Sequence, residues 1–156
     1  VTKAALEPFR VNAPERLKPL LPYLQDTGPM CYNIALEVEM APPDGEAQTI
    51  ARTNARELYY SSAQQLTHHA LCGCEMNTGD LLGSGTISGP EKDQRGALLE
   101  LTWSGKEPLH LSDGTARSFI EDGDTLTLKG WAQGDGYKIG FGDCTGTILP
   151  APTMPK

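Results

Sequence analysis

The clearest pattern along the chain is an alternation of apolar and polar positions over residues 32–40, YNIALEVEM. The apolar positions are Ile34, Leu36, Val38 and Met40, and the intervening positions are Asn33, Ala35, Glu37 and Glu39. Because successive side chains of a strand point to opposite faces, this pattern predicts a half-buried β-strand. The Pro-Pro-Asp-Gly sequence at 42–45 is typical of a turn that ends it.

A helical pattern follows from about Asn54 to Cys72. Asn54 is a suitable N-cap, and Gly73 is a suitable residue just beyond the C-terminus. The spacing predicts an inner stripe made of Leu58, Ser62, Leu66 and Ala70. This is the one main helix that we expect, near residues 54–72.

The remainder of the chain has the pattern of short strands. Alternating runs at 98–103 (LLELTW), 125–131 (TLTLKGW) and 137–142 (YKIGFG) are separated by turns rich in Gly, Asp and Pro. No repeated βα rhythm is present, which argues against a doubly wound parallel sheet. We therefore expect a mainly β (α+β) fold with seven or eight strands.

Domain organisation is predicted from length and proline content. A chain of 156 residues that is 38% hydrophobic can bury one ordinary core. Five of the 12 prolines lie within residues 1–30, a density that disfavours helix and indicates an extended arm. We expect residues 1–30 to form this arm within the same domain, and residues 31–156 to form the β domain.

Charge and hydropathy restrict the class of partner. The net charge of −7, with no basic cluster, argues against a nucleic acid partner. No run approaches the roughly 18 apolar residues of a membrane span, and the N-terminus lacks the order of a secretory signal. We therefore expect a soluble protein that does not bind a membrane.

Four cysteines, Cys31, Cys72, Cys74 and Cys144, are too few and too unevenly spaced for a disulfide framework. They favour a cytoplasmic protein with buried or half-buried free thiols. Cys72 and Cys74, with His68 four residues before Cys72, could suggest zinc, but no second pair completes four ligands. His68 and His69 diverge on a helix, so we expect one of them to be a packed, hydrogen-bonded histidine.

The Gly-rich stretch GSGTISGP, residues 83–90, is the first candidate binding segment. A dinucleotide fingerprint would require glycine at Ser88, and no helix is signalled after the stretch. Its backbone N–H groups and the Thr86 hydroxyl suit a carboxylate or another anionic oxygen. The alternative is a tight turn between strands.

Acidic residues supply the other candidates. Glu37 and Glu39 share a strand face and could present two carboxylates to a divalent cation, or simply be solvated. Glu100 interrupts an apolar run. A carboxylate at such a position lies either on the solvent-exposed face or beside a specific partner such as a histidine. The Asp-Gly-Asp sequence at 122–124 lacks the further acids of a calcium loop and is explained as a turn.

Several motifs, in order, then resemble the C-terminal portion of the fumarylacetoacetase family, also called the fumarylacetoacetate hydrolase family. They are QQLTHHALCGCEMNTGDLLGSGTISGP, LLELTW and DGDTLTLKGWAQGDGYKIGFGDCTGTILPA. The resemblance runs from the Pro-rich start to about Pro150. The resemblance also separates this chain from generic members of the wider hydrolase superfamily, because those usually have a TGTP-like threonine loop and lack the GDGY-x-IGFG segment.

The resemblance implies a mixed, mostly antiparallel β-sandwich roll that works as a homodimer. It also implies hydrolysis of the C–C bond of 4-fumarylacetoacetate, a diketo acid, to fumarate and acetoacetate, the last step of tyrosine and phenylalanine catabolism. The family uses calcium or magnesium, together with a histidine that is oriented by a glutamate and activates water.

Residue by residue, the resemblance assigns substrate binding to Thr86 and Gly85, and orientation of the catalytic histidine to Glu100. It assigns Gly83 and Gly89 to shaping the loop. The family's metal ligands and catalytic histidine precede the portion resembled, so no metal ligand is assigned in this chain, and Glu37, Glu39 and both helix histidines receive no catalytic role.

We accordingly expect the chain to need the upstream half of such an enzyme and to be inactive alone. If it is a piece of that enzyme, it should also expose apolar surface where its sheets are cut. The alternative is a free-standing, non-catalytic β domain that binds a small carboxylate or a protein.

Overall fold

The computed structural model describes residues 1–152, and its centre is an antiparallel sheet of five strands. The described residues form nine strands, which are β1 (Arg10–Val11), β2 (Cys31–Tyr32), β3 (Ala35–Ala41), β4 (Gln48–Asn54), β5 (Leu109–His110), β6 (Ala116–Arg117), β7 (Thr125–Gln133), β8 (Lys138–Gly140) and β9 (Cys144–Thr147). In the main sheet β4, β3 and β7 are neighbours in that order, and β8 and β9 both pair with β7. The mainly β class predicted from the sequence is confirmed.

Three α-helices accompany the strands in the described residues: α1 (Lys3–Leu6), α2 (Ser62–Leu71) and α3 (Leu98–Leu101). Only α2, with ten residues, is long enough to be a main helix. Short 3-10 turns lie at Glu7–Phe9, Pro22–Leu24, Ala55–Glu57 and Lys92–Gln94. No helix in residues 1–152 combines the length and hydropathy that a membrane span requires.

The alternation over residues 32–40 forms a strand as predicted, and the strand is β3. Its partner β7 places Leu126, Leu128 and Gly130 directly opposite Met40, Val38 and Leu36. Since directly opposed residues share a face, these positions line one apolar face of the sheet. The turn at 42–45 is also present, with the Gly45 N–H bonded to the Pro42 carbonyl at 3.0 Å.

Residues 98–117, which we call the covering segment, lie over one end of this apolar face. The buried core there consists of Met40, Ile50 and Leu111. Val38, Leu98, Leu109 and Leu126 pack around it. Met40 is fully buried. Burial of such a side chain contributes about 1.5–3 kcal/mol, so this contact holds the covering segment to the sheet.

A buried ion pair joins the end of the covering segment to the start of β7. The Arg117 guanidinium donates from Nε and Nη2 to both oxygens of Asp124 at 3.0–3.2 Å. Burial alone would raise the pKa of Asp124, but Arg117 and the Glu121 N–H outweigh it and hold the pKa below its ordinary value. The turn predicted at 122–124 is present, and Asp124 has this structural role in it.

The predicted start of the main helix is wrong. Asn54 ends β4 and caps a single 3-10 turn, and α2 begins only at Ser62. Ser61 is the N-cap, because its hydroxyl accepts from the Gln64 N–H while the Gln64 side chain accepts from the Ser61 N–H. The predicted inner stripe is also wrong, since Leu66 and Ala70 are exposed and the buried residue of α2 is Gln64.

The run LLELTW at 98–103 forms a helical turn, α3, and not the predicted strand. Leu98 and Leu101, three apart, pack inward on one side of that turn. The buried Thr102 hydroxyl donates to the carbonyl groups of Leu98 and Ser118. Consecutive left-handed residues from Trp103 to Gly105 then end the helix.

Residues 1–30 are mostly irregular, but they are less extended than expected. They contain α1 and two 3-10 turns that begin at or near Pro8 and Pro22, where the missing proline N–H costs nothing. β1 pairs with β2, and Phe9 and Leu24 are buried. The segment therefore packs on the rest of the chain, while its assignment to one domain stays a prediction.

Candidate functional site

The GSGTISGP loop connects the α2 region to α3 without regular structure. Thr86 is exposed at its centre, and its hydroxyl and N–H have no hydrogen-bond partner among residues 1–152. Gly85 has a φ of +77°, a conformation that favours glycine. The structure therefore leaves both donors of Thr86 free to face a ligand oxygen.

Glu100 lies on α3 and is brought to this loop. The Ser88 hydroxyl donates to Glu100 Oε2 at 2.5 Å, and Ser88 Oγ accepts from the Gly96 N–H at 3.1 Å. Glu100 is exposed, and its other oxygen, Oε1, accepts no hydrogen bond from residues 1–152. Glu100 is thus hydrogen-bonded to the loop that carries Thr86, through Ser88, which lies two residues after Thr86.

Close packing fixes the loop against residues 94–96. A Cβ on Gly96 would collide with the Ile87 carbonyl oxygen and would also come within 3.0 Å of Thr86 Cγ2. The Gly89 N–H donates to the Gln94 carbonyl at 3.0 Å. Gly96 is therefore a position where the approach of two backbones requires glycine, and sequence reasoning missed it.

Arg95 fixes α3 from its other side. Its Nη1 donates to the Glu100 carbonyl at 3.1 Å, and its guanidinium lies over the Trp103 ring, 5.2 Å from the ring centroid. A cation in this range is attracted to the aromatic face. Arg95 thus stabilises the backbone that carries Glu100, without touching the carboxylate.

The other two glycines assigned to the loop differ from Gly85. A Cβ on Gly83 would meet nothing within 4 Å, so the structure shows no need for glycine there. A Cβ on Gly89 would collide with the Gln94 side chain, whose flexible end could move. The loop-shaping roles of Gly83 and Gly89 stay predictions.

An open apolar groove of about 1000 Å³ lies beside the loop. Its floor is the part of the sheet face that the covering segment does not reach, with Leu36, Leu128 and Phe141. Its walls are α2 and the stretch that includes Leu82 and Ile87. Leu128 is 52% exposed although it lies directly opposite Val38. Apolar surface is therefore exposed here, as the resemblance led us to expect.

No histidine or cysteine side chain in residues 1–152 forms a hydrogen bond with the Glu100 carboxylate. His68 accepts or donates a hydrogen bond with the Tyr23 hydroxyl at 2.9 Å, but it and His69 are both exposed. Cys31 is buried as expected, whereas Cys72, Cys74 and Cys144 are exposed, which contradicts the expectation of burial. Cys72 is the C-cap residue of α2, and Cys74 follows in a loop.

No group of three or more His, Cys, Asp and Glu side chains in residues 1–152 could hold a metal ion. Glu37 accepts from Arg52 Nε at 2.7 Å, and Glu39 accepts from Lys129 Nζ at 2.6 Å. The Glu39 carboxylate raises the pKa of Lys129. The two glutamates on this face are each neutralised by a cation of a neighbouring strand, so they do not form a site for a divalent ion.

Residues 2–149 match the family model for the C-terminal region of fumarylacetoacetate (FAA) hydrolase. The chain belongs to the fumarylacetoacetate hydrolase family. Its relatives include the fumarylacetoacetases of Aspergillus fumigatus, with 55% identity over 94% of this chain, and of Arabidopsis thaliana, with 50% identity over 97%. The human fumarylacetoacetase is 46% identical over 94% of the chain.

The chain spans only about a third of the length of these family members, 35–36% of each. It corresponds to their C-terminal region. The family assignment is therefore shown for a portion, and the activity of a whole enzyme is a separate question.

Proposed function

We propose that this chain is the C-terminal part of a fumarylacetoacetase, a hydrolase that cleaves the C–C bond of 4-fumarylacetoacetate to give fumarate and acetoacetate. The observation that carries this proposal is a sequence identity of 50–55% to two fumarylacetoacetases over nearly the whole chain. The hydrogen bond from Ser88 to Glu100 supports it, because it brings the Glu100 carboxylate to the loop that carries Thr86.

In the proposal, Thr86 binds the substrate. A hydroxyl and an N–H held on a loop that is packed against Gly96 are donors whose positions are fixed before the ligand arrives. Such donors suit a carboxylate or a developing enolate oxygen. Gly85 allows the substrate to approach the backbone without a Cβ in the way.

Glu100 orients the catalytic histidine in this proposal, and no histidine of residues 1–152 is hydrogen-bonded to it. Its Oε2 is held by Ser88, while Oε1 is open and can accept from an imidazole N–H. A carboxylate in this position fixes the tautomer of the imidazole and stabilises the imidazolium that forms when water loses its proton. We propose that this histidine comes from the upstream half of the enzyme and that the whole enzyme is a homodimer.

The resemblance implies a calcium or magnesium ion. The described residues do not fit such an ion, because they contain no group of three or more His, Cys, Asp and Glu side chains that could hold it. No catalytic step is therefore derived through a metal. The proposal assigns to this chain substrate binding and the orientation of the base, and it assigns no metal ligand to residues 1–152.

The test is a chimera in which this chain replaces the aligned region, 35% of the length, of Aspergillus fumigatus fumarylacetoacetase. We expect it to hydrolyse fumarylacetoacetate, and Glu100→Gln to lower kcat by about 100-fold or more with a smaller effect on KM. Glu75→Gln, at an exposed site whose carboxylate has no hydrogen bond or ion pair in residues 1–152, is the matched control. Near-normal kcat in Glu100→Gln would refute the role of Glu100. An inactive chimera would favour a non-catalytic β domain that binds a carboxylate or a protein.

A further inference from the structure

Among residues 1–152, Ser88 is the one side chain that hydrogen-bonds the Thr86 loop to the Glu100 carboxylate. It lies two residues after Thr86 and twelve before Glu100, and its hydroxyl donates to Glu100 Oε2 at 2.5 Å. We propose that Ser88 is a positioning residue of the hydrolytic site, which fixes the Glu100 carboxylate so that Oε1 faces the histidine. This inference rests on the proposed function and deepens it.

The hydroxyl of Ser88 has a fixed direction. Its oxygen accepts from the Gly96 N–H at 3.1 Å, so its own hydrogen is left to donate to the carboxylate. Gly96 lies directly against the loop, because a Cβ built on it would collide with the Ile87 carbonyl oxygen and meet the Thr86 methyl. The backbone therefore sets the position of the donor.

One directed donor is sufficient to choose between the two oxygens of a mobile carboxylate. Glu100 is exposed on a helix of four residues, where three side-chain torsions would otherwise be free. Engagement of Oε2 restricts these torsions and leaves Oε1 as the free acceptor. A hydrogen bond to an ionised group is also stronger than one between neutral groups.

The same contact makes the loop and the carboxylate move together. Displacement of Thr86 by a ligand would be transmitted through Ile87 to Ser88 and then to Glu100. Ser88 thereby links substrate binding to orientation of the base, a role that neither Thr86 nor Glu100 can have alone.

The test uses the Aspergillus fumigatus chimera with Ser88→Ala, with Ser88→Thr as the conservative variant. We expect Ser88→Ala to lower kcat by roughly tenfold, the effect of losing one hydrogen bond to a charged group, with KM changed less. The acid limb of the kcat profile should move to higher pH, because a carboxylate without its donor holds the imidazolium proton more tightly. Ser88→Thr keeps the hydroxyl and should restore most of kcat.

The control is Ser112→Ala, which removes an exposed hydroxyl that has no partner in residues 1–152 and should leave kcat and the pH profile unchanged. If the unmodified chimera is active and Ser88→Ala keeps its kcat and acid limb, the inference about Ser88 is overturned alone. An equal loss in Ser88→Thr would also overturn it, because the hydroxyl would then not be the active feature. If the unmodified chimera is inactive, the proposed function and this inference both fail.

Discussion

The two ends of the apolar sheet face have the same strands and similar side chains, but they differ in what covers them. At one end the covering segment buries Met40 completely, together with Ile50 and Leu111. At the other end Leu128 and Phe141 are about half exposed, at 52% and 45%, and line the open groove. The pattern of alternation is continuous across both ends, so the sequence pattern of a strand reports which face is apolar and not which part is covered.

The difference also explains where the candidate site lies. Ser84 and Ile87, on either side of Thr86, line the groove at the open end, while Glu100 is on α3, which begins the covering segment. The covered end supplies the helix that carries the carboxylate, and the open end supplies space beside the loop with the unpaired donors of Thr86. Exposed apolar surface of this kind commonly marks an interaction site or a ligand groove.

The largest effect is expected at the ion pair that ties the covering segment to β7. Asp124→Ala leaves Arg117 buried and unpaired and should lower the free energy of unfolding by about 3–5 kcal/mol. Glu121→Ala is the control, because Glu121 is exposed and 3.5 Å from the same guanidinium, and it should cost less than about 1 kcal/mol. Urea unfolding of the full chain measures both, and comparable losses would show that the pair is not what holds the segment.

The same pair predicts an acid dependence of stability. The pKa of Asp124 is lowered in the folded chain, so its stabilisation is present above the pKa of the unfolded state, about 3.9, and is lost as pH falls through the folded value. Unfolding free energies measured between about pH 5 and 2 should therefore fall less steeply in Asp124→Asn than in the unmodified chain. Parallel slopes would contradict this assignment.

The next largest effect on the free energy of unfolding is expected for a pair of substitutions, one at each end of the apolar face. Met40→Ala should cost about 2–4 kcal/mol, because it leaves a cavity under the covering segment. Leu128→Ala, on the next strand at the open end, should cost less than about 1 kcal/mol, since half of that side chain is already in contact with solvent. Equal losses in urea unfolding would mean that the open end is covered in solution.

A smaller effect is expected at α2, the wall of the groove. Ser61→Ala removes the N-cap hydroxyl and should cost about 1 kcal/mol. Ser62→Ala, one residue later, exposed and without a capping contact, should be neutral and serves as the control. Thermal unfolding measures both variants. If Ser62→Ala lowered the Tm more than Ser61→Ala, Ser61 would not be the N-cap of α2.

Some of this molecule could be predicted from the sequence and some could not. The strand β3, the strand β7 and the turns follow from period-two alternation and from Gly, Pro and Asp. The residues 98–101 were predicted as a strand because a short apolar run is consistent with either a strand or a buried helical turn. The start of α2 was misplaced because Asn54 and Ser61 are both good N-caps, and only the strand pairing of Asn54 decides between them.

The residue pattern singles out Thr86 and Glu100, and the resemblance assigns their roles, which stay predictions. The contacts that hold these residues could not be predicted from the sequence. The contact between Ser88 and Glu100 spans twelve residues and depends on a turn of helix that the sequence did not predict. The pair of Arg117 and Asp124 likewise has no sequence signal, since a charged residue beside a turn is ordinarily exposed.

The most direct test of the central claim is hydrolysis of fumarylacetoacetate by this chain, alone and after mixing with the complementary upstream part of Aspergillus fumigatus fumarylacetoacetase, with calcium or magnesium present. We predict no turnover by the chain alone and turnover after mixing, because Thr86 and Glu100 supply one side of a divided site. Turnover by the chain alone would contradict the account, because the histidine or metal ligands assigned elsewhere would then have to lie within these residues.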